Sequence, residues 1–359
     1  MATVNRKDLL QAMKSVMPGI DRAGFRENTD SFLFHEGILT TCNTIVSVST
    51  KLDVGGLNFA VRAQEIYALV SKSSADEAEI SIDGGKLRYK CGGLRSSIVL
   101  SDPAPLVKVV KAVSVGKFKP LPENFGEAVL ASRLSHYSEG RYKGIAVADD
   151  NGKSVMLSFD GDAFAMYTLS SPMDTLFVDD GLVAQSLALG TAREYSIDRS
   201  WLTLRYDSGA EFSCKVNNVL DYPAEAILRL VGTVGSAEGT TFKLPQGFDA
   251  AVERVSVMAF DKRENGLLSN NVRLTLSGDG VTVYAEKASR GEAEETVPWG
   301  EGMEAVTDST FFVSAQFVVD AVRKGGVFKM VKPNPNGRKV VLVMNVGDLS
   351  YYVNCVSNA

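Results

Sequence analysis

The apolar residues of 7–17 recur at helical spacing. Leu9, Leu10, Met13, Val16 and Met17 share one face and Pro18-Gly19 stops the run, which predicts a helix. Residues 31–52 alternate apolar and polar positions about His35-Glu36-Gly37, the pattern of a hairpin running into a further strand. The period changes back in 62–73, where Ala63, Ile66, Tyr67 and Val70 form one stripe, and a second helix is expected. Residues 78–100 then read as two or three strands joined at Asp83-Gly84-Gly85 and Cys91-Gly92-Gly93.

The same order recurs twice. A helix over about 124–135, a hairpin over 145–160, a helix over 180–190 and strands over 194–216 follow the first set. A helix over 248–260, buried through Phe248, Val252, Val255 and Ala259, opens the last set. A hairpin at Gly278-Asp279-Gly280, a helix over 314–326 and strands over 328–356 complete it. The triplet Leu87-Arg88-Tyr89 is echoed by Leu204-Arg205-Tyr206, about one third of the chain later. An α+β chain of three repeated domains is expected, with boundaries at 1–115, 116–240 and 241–359.

Composition agrees with this picture and narrows it. A length of 359 residues suits two or three domains, and 45% hydrophobic with 23% charged residues is globular composition. The charged N-terminal segment is not a signal peptide and no apolar run reaches spanning length, so a cytoplasmic protein is expected. Cys42, Cys91, Cys214 and Cys355 stand far apart without a CxxC pair, which favours packed thiols over zinc or disulfides.

Catalytic chemistry is hard to find. His35-Glu36-Gly37 lacks the second histidine of a helical zinc site, and Gly84-Gly85-Lys86 lacks the flanking residues of a phosphate loop. Asp160-Gly161-Asp162 has no third carboxylate at ligand spacing and reads as a strand-exit turn. Glu292, Glu294 and Glu295 read as a solvated strand face. No nucleophile has a base at a recognisable spacing, so neither an enzyme nor a cofactor is expected.

Three such units over the whole chain resemble the bacterial DNA polymerase III β subunit family, the sliding clamps. The resemblance is most specific in 267–297, LLSNNVRLTLSGDGVTVYAEKASRGEAEETV, and extends to 59–72 (FAVRAQEIYALVSK) and 218–224 (NVLDYPA). Phe159-Asp160-Gly161-Asp162-Ala163-Phe164 keeps only the Asp-Gly turn of the family's domain 2 motif, and the C-terminal tail YYVNCVSNA also departs from it. A phage or otherwise divergent member fits these departures.

The resemblance implies a non-enzymatic processivity factor, a head-to-tail homodimer closing a six-domain ring around duplex DNA. Its partners would be double-stranded DNA without sequence preference, a replicative polymerase, a clamp loader and a second copy of itself. A net charge of −5 argues against nucleic acid at first sight. The six stretches that the resemblance puts around the hole, 5–16, 62–73, 124–143, 179–193, 248–263 and 314–324, nevertheless carry 14 Lys and Arg against 10 Asp and Glu. The rest of the chain carries 24 against 33. Amphipathic helices collect charge on their wet face in any case, so the contrast agrees with the resemblance without requiring it.

Phosphate contacts are expected from Arg6, Lys7, Lys14, Arg22, Arg26, Arg133, Arg141 and Lys143, with Tyr142 placed to stack on an exposed base. By resemblance, an apolar pocket for partner peptides would involve Phe159, Gly161, Asp162, Phe164, Leu220, Tyr222, Val341, Val353 and Cys355. For Phe164, a place in the domain core is an equal alternative. Leu106 and Phe260 are candidates for the apolar part of dimer closure. The alternative to a clamp is a repetitive β-rich assembly protein, such as a virion component.

Overall fold

The computed structural model describes residues 1–21, 28–133, 142, 144–159, 163–259, 261–262, 268–269, 271–287, 289–300, 309–325, 327–332 and 339–357. The chain begins β1 (Ala2–Asn5), α1 (Arg6–Val16), a 3-10 turn at Met17–Gly19, β2 (Ser31–His35), β3 (Ile38–Cys42), β4 (Val46–Lys51) and β5 (Phe59–Arg62). It continues α2 (Ala63–Lys72), β6 (Glu77–Asp83), β7 (Lys86–Cys91), β8 (Leu94–Val99) and α3 (Pro103–Lys111). Next come β9 (Lys119–Pro120), α4 (Phe125–Ser132), β10 (Ile145–Asp150), β11 (Lys153–Phe159), β12 (Ala163–Thr168) and β13 (Leu176–Val178). After them lie α5 (Asp180–Ser186), β14 (Ala192–Asp198), β15 (Trp201–Tyr206), β16 (Glu211–Asn217) and α6 (Ala224–Ser236). The last stretch holds β17 (Gly239–Phe242), α7 (Phe248–Ala259), β18 (Asp261–Lys262), β19 (Leu268–Ser269), β20 (Asn271–Ser277), β21 (Gly280–Lys287) and β22 (Gly291–Pro298). It ends with β23 (Ser309–Ser314), α8 (Ala315–Arg323), β24 (Val327–Val331), β25 (Lys339–Val346) and β26 (Leu349–Ser357).

Local chemistry sets these boundaries. The Asn5 side chain accepts from the Lys7 and Asp8 amides at 2.9 and 3.3 Å, capping α1 where its first amides have no helical partner. Leu9, Met13 and Val16, one helical face, are buried. Gly19 lets the turn after α1 approach β3, since a Cβ there would lie 2.3 Å from Thr41 Oγ1. His35-Glu36-Gly37 is a hairpin tip, with Glu36 and Gly37 at φ 53° and 74° between β2 and β3. Gly84 and Gly85, at φ 56° and 74°, make the equivalent turn between β6 and β7, so neither sequence is a ligand loop.

The chain packs as two compact units, residues 1–126 with 181–217, and residues 127–180 with 218–359. In the first, antiparallel pairing runs β5-β2-β3-β4-β16-β15-β14-β9. A second sheet, β1-β6-β7-β8, lies in the same unit. In the second unit the order is β13-β10-β11-β12-β26-β25-β24-β17. Both eight-strand orders are built alike: a hairpin and its next strand pair with a later three-strand meander and a terminal short strand. The second unit extends this by β22-β21-β20-β23. None of the four cysteines forms a disulfide, and all four are buried. Among the described residues, no helix is long and apolar enough to cross a membrane.

Candidate functional site

The cationic residues expected to meet phosphates divide by how the fold uses them. Arg6 donates from Nε to the Ala75 carbonyl at 2.9 Å, and a second guanidinium nitrogen reaches the Val70 carbonyl at 3.4 Å. It pins α1 to the end of α2, and its guanidinium faces backbone oxygens at the helix C-terminus, where positive charge is favoured. Lys7 sits 3.5 Å from Asp76 in an exposed pair, which solvent screens heavily. Lys14 is exposed and makes no ion pair among the described residues. Lys72, in the last turn of α2, is equally exposed and unengaged; only its place on a wet helical face marked it in the sequence.

Arg133 has a partner within the fold. Its Nε lies 3.1 Å from Asp180 Oδ2, and that carboxylate is nearly inaccessible. Removing Arg133 would leave a buried carboxylate without its cation, so the pair holds the second unit together before it can serve a phosphate. Tyr142 likewise has partners within the fold. Its ring meets Tyr222 edge-on at 6.3 Å and Phe159 at 6.1 Å, so it packs on the protein's own aromatics. Arg22, Arg26, Arg141 and Lys143 lie outside the described residues.

The residues expected at the peptide pocket are brought together in part. Phe164, Tyr222 and Val341 belong to one cluster with Phe177, Val343 and Tyr352, and Phe159 packs against it. Phe164 is fully buried and stacks on Tyr352 at 4.3 Å and 13°, while Phe177 and Tyr222 approach to 4.9 Å. Phe164 therefore serves the core of the cluster, and Tyr142, Phe159 and Tyr222 form its aromatic margin. Helix α6 lies along this cluster through Ile227 and Val234, with Leu228 and Val231 beside them.

Val353 and Cys355 lie elsewhere. Val341 and Val343 face Asn354 and Tyr352 across the β25–β26 ladder, whereas Leu342 faces Val353 and Val340 faces Cys355. Alternate residues point to opposite faces, so Val353 and Cys355 back onto the far side from Val341. On that side Tyr351 meets Phe317 of α8. Burial pushes the Cys355 thiol far up, which keeps it neutral and unreactive. Leu220, in contrast, is 90% exposed beside the cluster, while its neighbour Val219 packs into it. Gly161 and Asp162 lie outside the described residues.

Leu106 cannot supply an exposed apolar contact. It is 0% exposed and packs with Leu33 and Ala60, fixing α3 to the first sheet. Phe260 lies outside the described residues. Among the strands at sheet edges, β8 pairs only with β7 and β22 only with β21 among the described residues. The β7–β8 hairpin carries Lys86, Arg88, Lys90 and Arg95 and no acid, whereas β22 carries Glu292, Glu294 and Glu295 and no base. Val99, at the end of β8, is 68% exposed. Arg254 donates to both oxygens of Glu295 at 3.0 and 2.5 Å and lowers its pKa, leaving Glu292 and Glu294 as the acids not tied to α7.

No three His, Cys, Asp or Glu side chains come together as a metal site among the described residues. No family model matches the sequence, and no curated protein does. Solved structures do match. The DNA polymerase III subunit beta of Pseudomonas aeruginosa is 16% identical at a TM-score of 0.79, covering 99% of each chain. The sliding clamp of Bartonella birtlesii, bound to griselimycin, is 14% identical at 0.80, covering 100% of this chain and 99% of that one. The Bacillus subtilis sliding clamp is 12% identical at 0.78, covering 99% of each. From end to end, the chain has the fold of the bacterial DNA polymerase III β-subunit sliding clamps.

Proposed function

We propose that the chain is a sliding clamp: two copies join head to tail into a six-domain ring around duplex DNA and tether a polymerase. The three domains are 1–115, 116–240 and 241–359. The observation that carries this reading is a pair of open edges of complementary charge, the β7–β8 hairpin with Lys86 and Arg95 and the acidic β22, on one chain with a clamp fold throughout. An unpaired edge strand offers free backbone groups that another chain can pair with. Opposite charges on the two edges favour β8 of one copy on β22 of the other, a heterologous contact that closes when the rotation allows it.

Affinity for DNA then comes from linkage, with weak sequence-independent contacts from Lys7, Lys14 and Lys72 to phosphates. A clamp loader would open the ring. Polymerase peptides would dock beside the aromatic margin of the second unit, using Tyr142, Phe159, Tyr222 and exposed Leu220 as apolar anchors. The test is retention on closed circular DNA after loading. Binding that resists high salt and is lost on linearising the circle supports a ring, whereas binding that salt removes equally from both forms refutes it. The same edges would otherwise build an open filament, the assembly-protein alternative, and its mass would rise with concentration without limit.

A further inference from the structure

The two eight-strand sheets can be superposed by register alone. In the first unit Val46 of β4 pairs Cys214 of β16, and Cys214 pairs Leu202 of β15. In the second, Ala163 of β12 pairs Val353 of β26, and Val353 pairs Leu342 of β25. Trp201, one residue before Leu202, therefore holds the position that Val341 holds beside the aromatic cluster. Helix α3 holds the place of α6, since each precedes the short strand at the end of its sheet, β9 or β17. The first unit thus repeats the frame of the aromatic cluster with different side chains.

That repeated frame is open. A cleft of about 640 Å³ lies between the β3–β4 turn at Asn43 and Thr44, the α3 face at Pro105, Lys108 and Val109, and Trp201 with Lys215. Its size suits two or three side chains of a ligand. Trp201 is 7% exposed, and Lys215 stands over its ring at 5.9 Å. Lys108 and Lys215 make no ion pair among the described residues, and no acid lines the cleft. The Trp201 indole N–H likewise makes no hydrogen bond among the described residues, whereas that of Trp299, the chain's other tryptophan, donates to the Ser277 carbonyl at 2.7 Å.

We infer that this cleft is a second docking site, for a short peptide carrying carboxylates beside an aliphatic side chain. The aliphatic group rests on Trp201 and Val109, the carboxylates face Lys108 and Lys215, and the indole N–H donates to a peptide oxygen. A nucleic-acid backbone is the poorer fit, because it presents phosphates in a row and needs a row of cations, where the cleft offers two lysines flanking an apolar floor. The site is separate from the aromatic margin of the second unit, and its failure would leave the clamp reading intact.

The probe is the peptide acetyl-Asp-Leu-Leu-Glu-amide, with acetyl-Asn-Leu-Leu-Gln-amide as its neutral isostere. In a Trp299→Phe background Trp201 is the sole tryptophan, and calorimetry on the unsubstituted chain checks that the background folds and binds alike. Expected are a saturable shift of Trp201 emission, a roughly tenfold weaker affinity for the isostere and for the Lys108→Ala/Lys215→Ala pair, and no effect of Phe159→Ala. The proposal is overturned by the absence of a saturable change up to about 1 mM peptide. Equal binding of the isostere, loss of binding in Phe159→Ala, or displacement by a short DNA duplex would also overturn it.

Discussion

Phe164 lies in the aromatic cluster of the second unit and Leu220 follows Val219, which packs on it, yet the two should behave oppositely. Phe164 is wholly buried against Tyr352, so Phe164→Ala removes ring burial and leaves a cavity, a loss of about 3–5 kcal/mol in chemical denaturation. Leu220 is almost fully exposed, so Leu220→Ala should change stability by less than about 0.5 kcal/mol. If Leu220 is a docking anchor, the same substitution weakens peptide binding, and a titration that finds no change removes it from the site. A different residue-scale test is alkaline. Tyr89 donates to Ser73 Oγ at 3.1 Å, and burial, the main cause, pushes its pKa up to about 12. The folded state therefore prefers the neutral phenol. Its contribution is complete below the unfolded value of about 10 and is lost as pH climbs from there towards 12. Tyr89→Phe should flatten the stability decline across that window, and an unaltered slope would exclude Tyr89 as its source.

At the scale of elements, α6 has two faces of unequal strength. Ile227 and Val234 hold it to the aromatic cluster, yet Gly232 and Gly235 sit inside the helix with open space where a Cβ would go, and Pro223 gives no side-chain cap. Gly232→Ala should stabilise the second unit by about 0.5–1 kcal/mol, read as a higher denaturation midpoint with an unchanged slope. A lower midpoint would mean that the position is packed by something else. Those glycines also explain what the sequence conceals. Helices at 7–17, 62–73 and 248–260 were legible because their apolar stripes are long and bounded by Asn, Ser or Pro-Gly signals. Helix α6 was not, because Pro and two Gly read as loop, and α3 was not, because Pro103, Pro105 and a Val-rich run look neither helical nor stranded. Both were decided by packing, α3 through Leu106 on Leu33 and Ala60. Site residues suffered similarly: that Val353 and Cys355 face away from Val341 depends on pairing register, and that Arg6 serves α2 depends on a fold contact 69 residues away.

For the whole molecule, the decisive quantity is whether β8 and β22 find each other on two copies. Within one chain neither edge is covered among the described residues, and Arg95 on β8 with Lys86 on the adjoining β7 stands against Glu292 and Glu294 on β22. If two copies join at this seam, Glu292→Lys/Glu294→Lys should oppose like charges along it and leave a monomer in sedimentation where the unsubstituted chain is a dimer. Lys86→Glu/Arg95→Glu on its own should do the same from the other side. One chain carrying all four substitutions should dimerise again, because a head-to-tail seam then meets opposite signs at both junctions. Simple misfolding of either pair would not be repaired by adding the second, which separates a charge-matched seam from a stability effect. Recovery of the dimer must also bring back salt-resistant retention on circular DNA. A restored dimer that still slips off closed circles would mean that the edges join without enclosing a duplex.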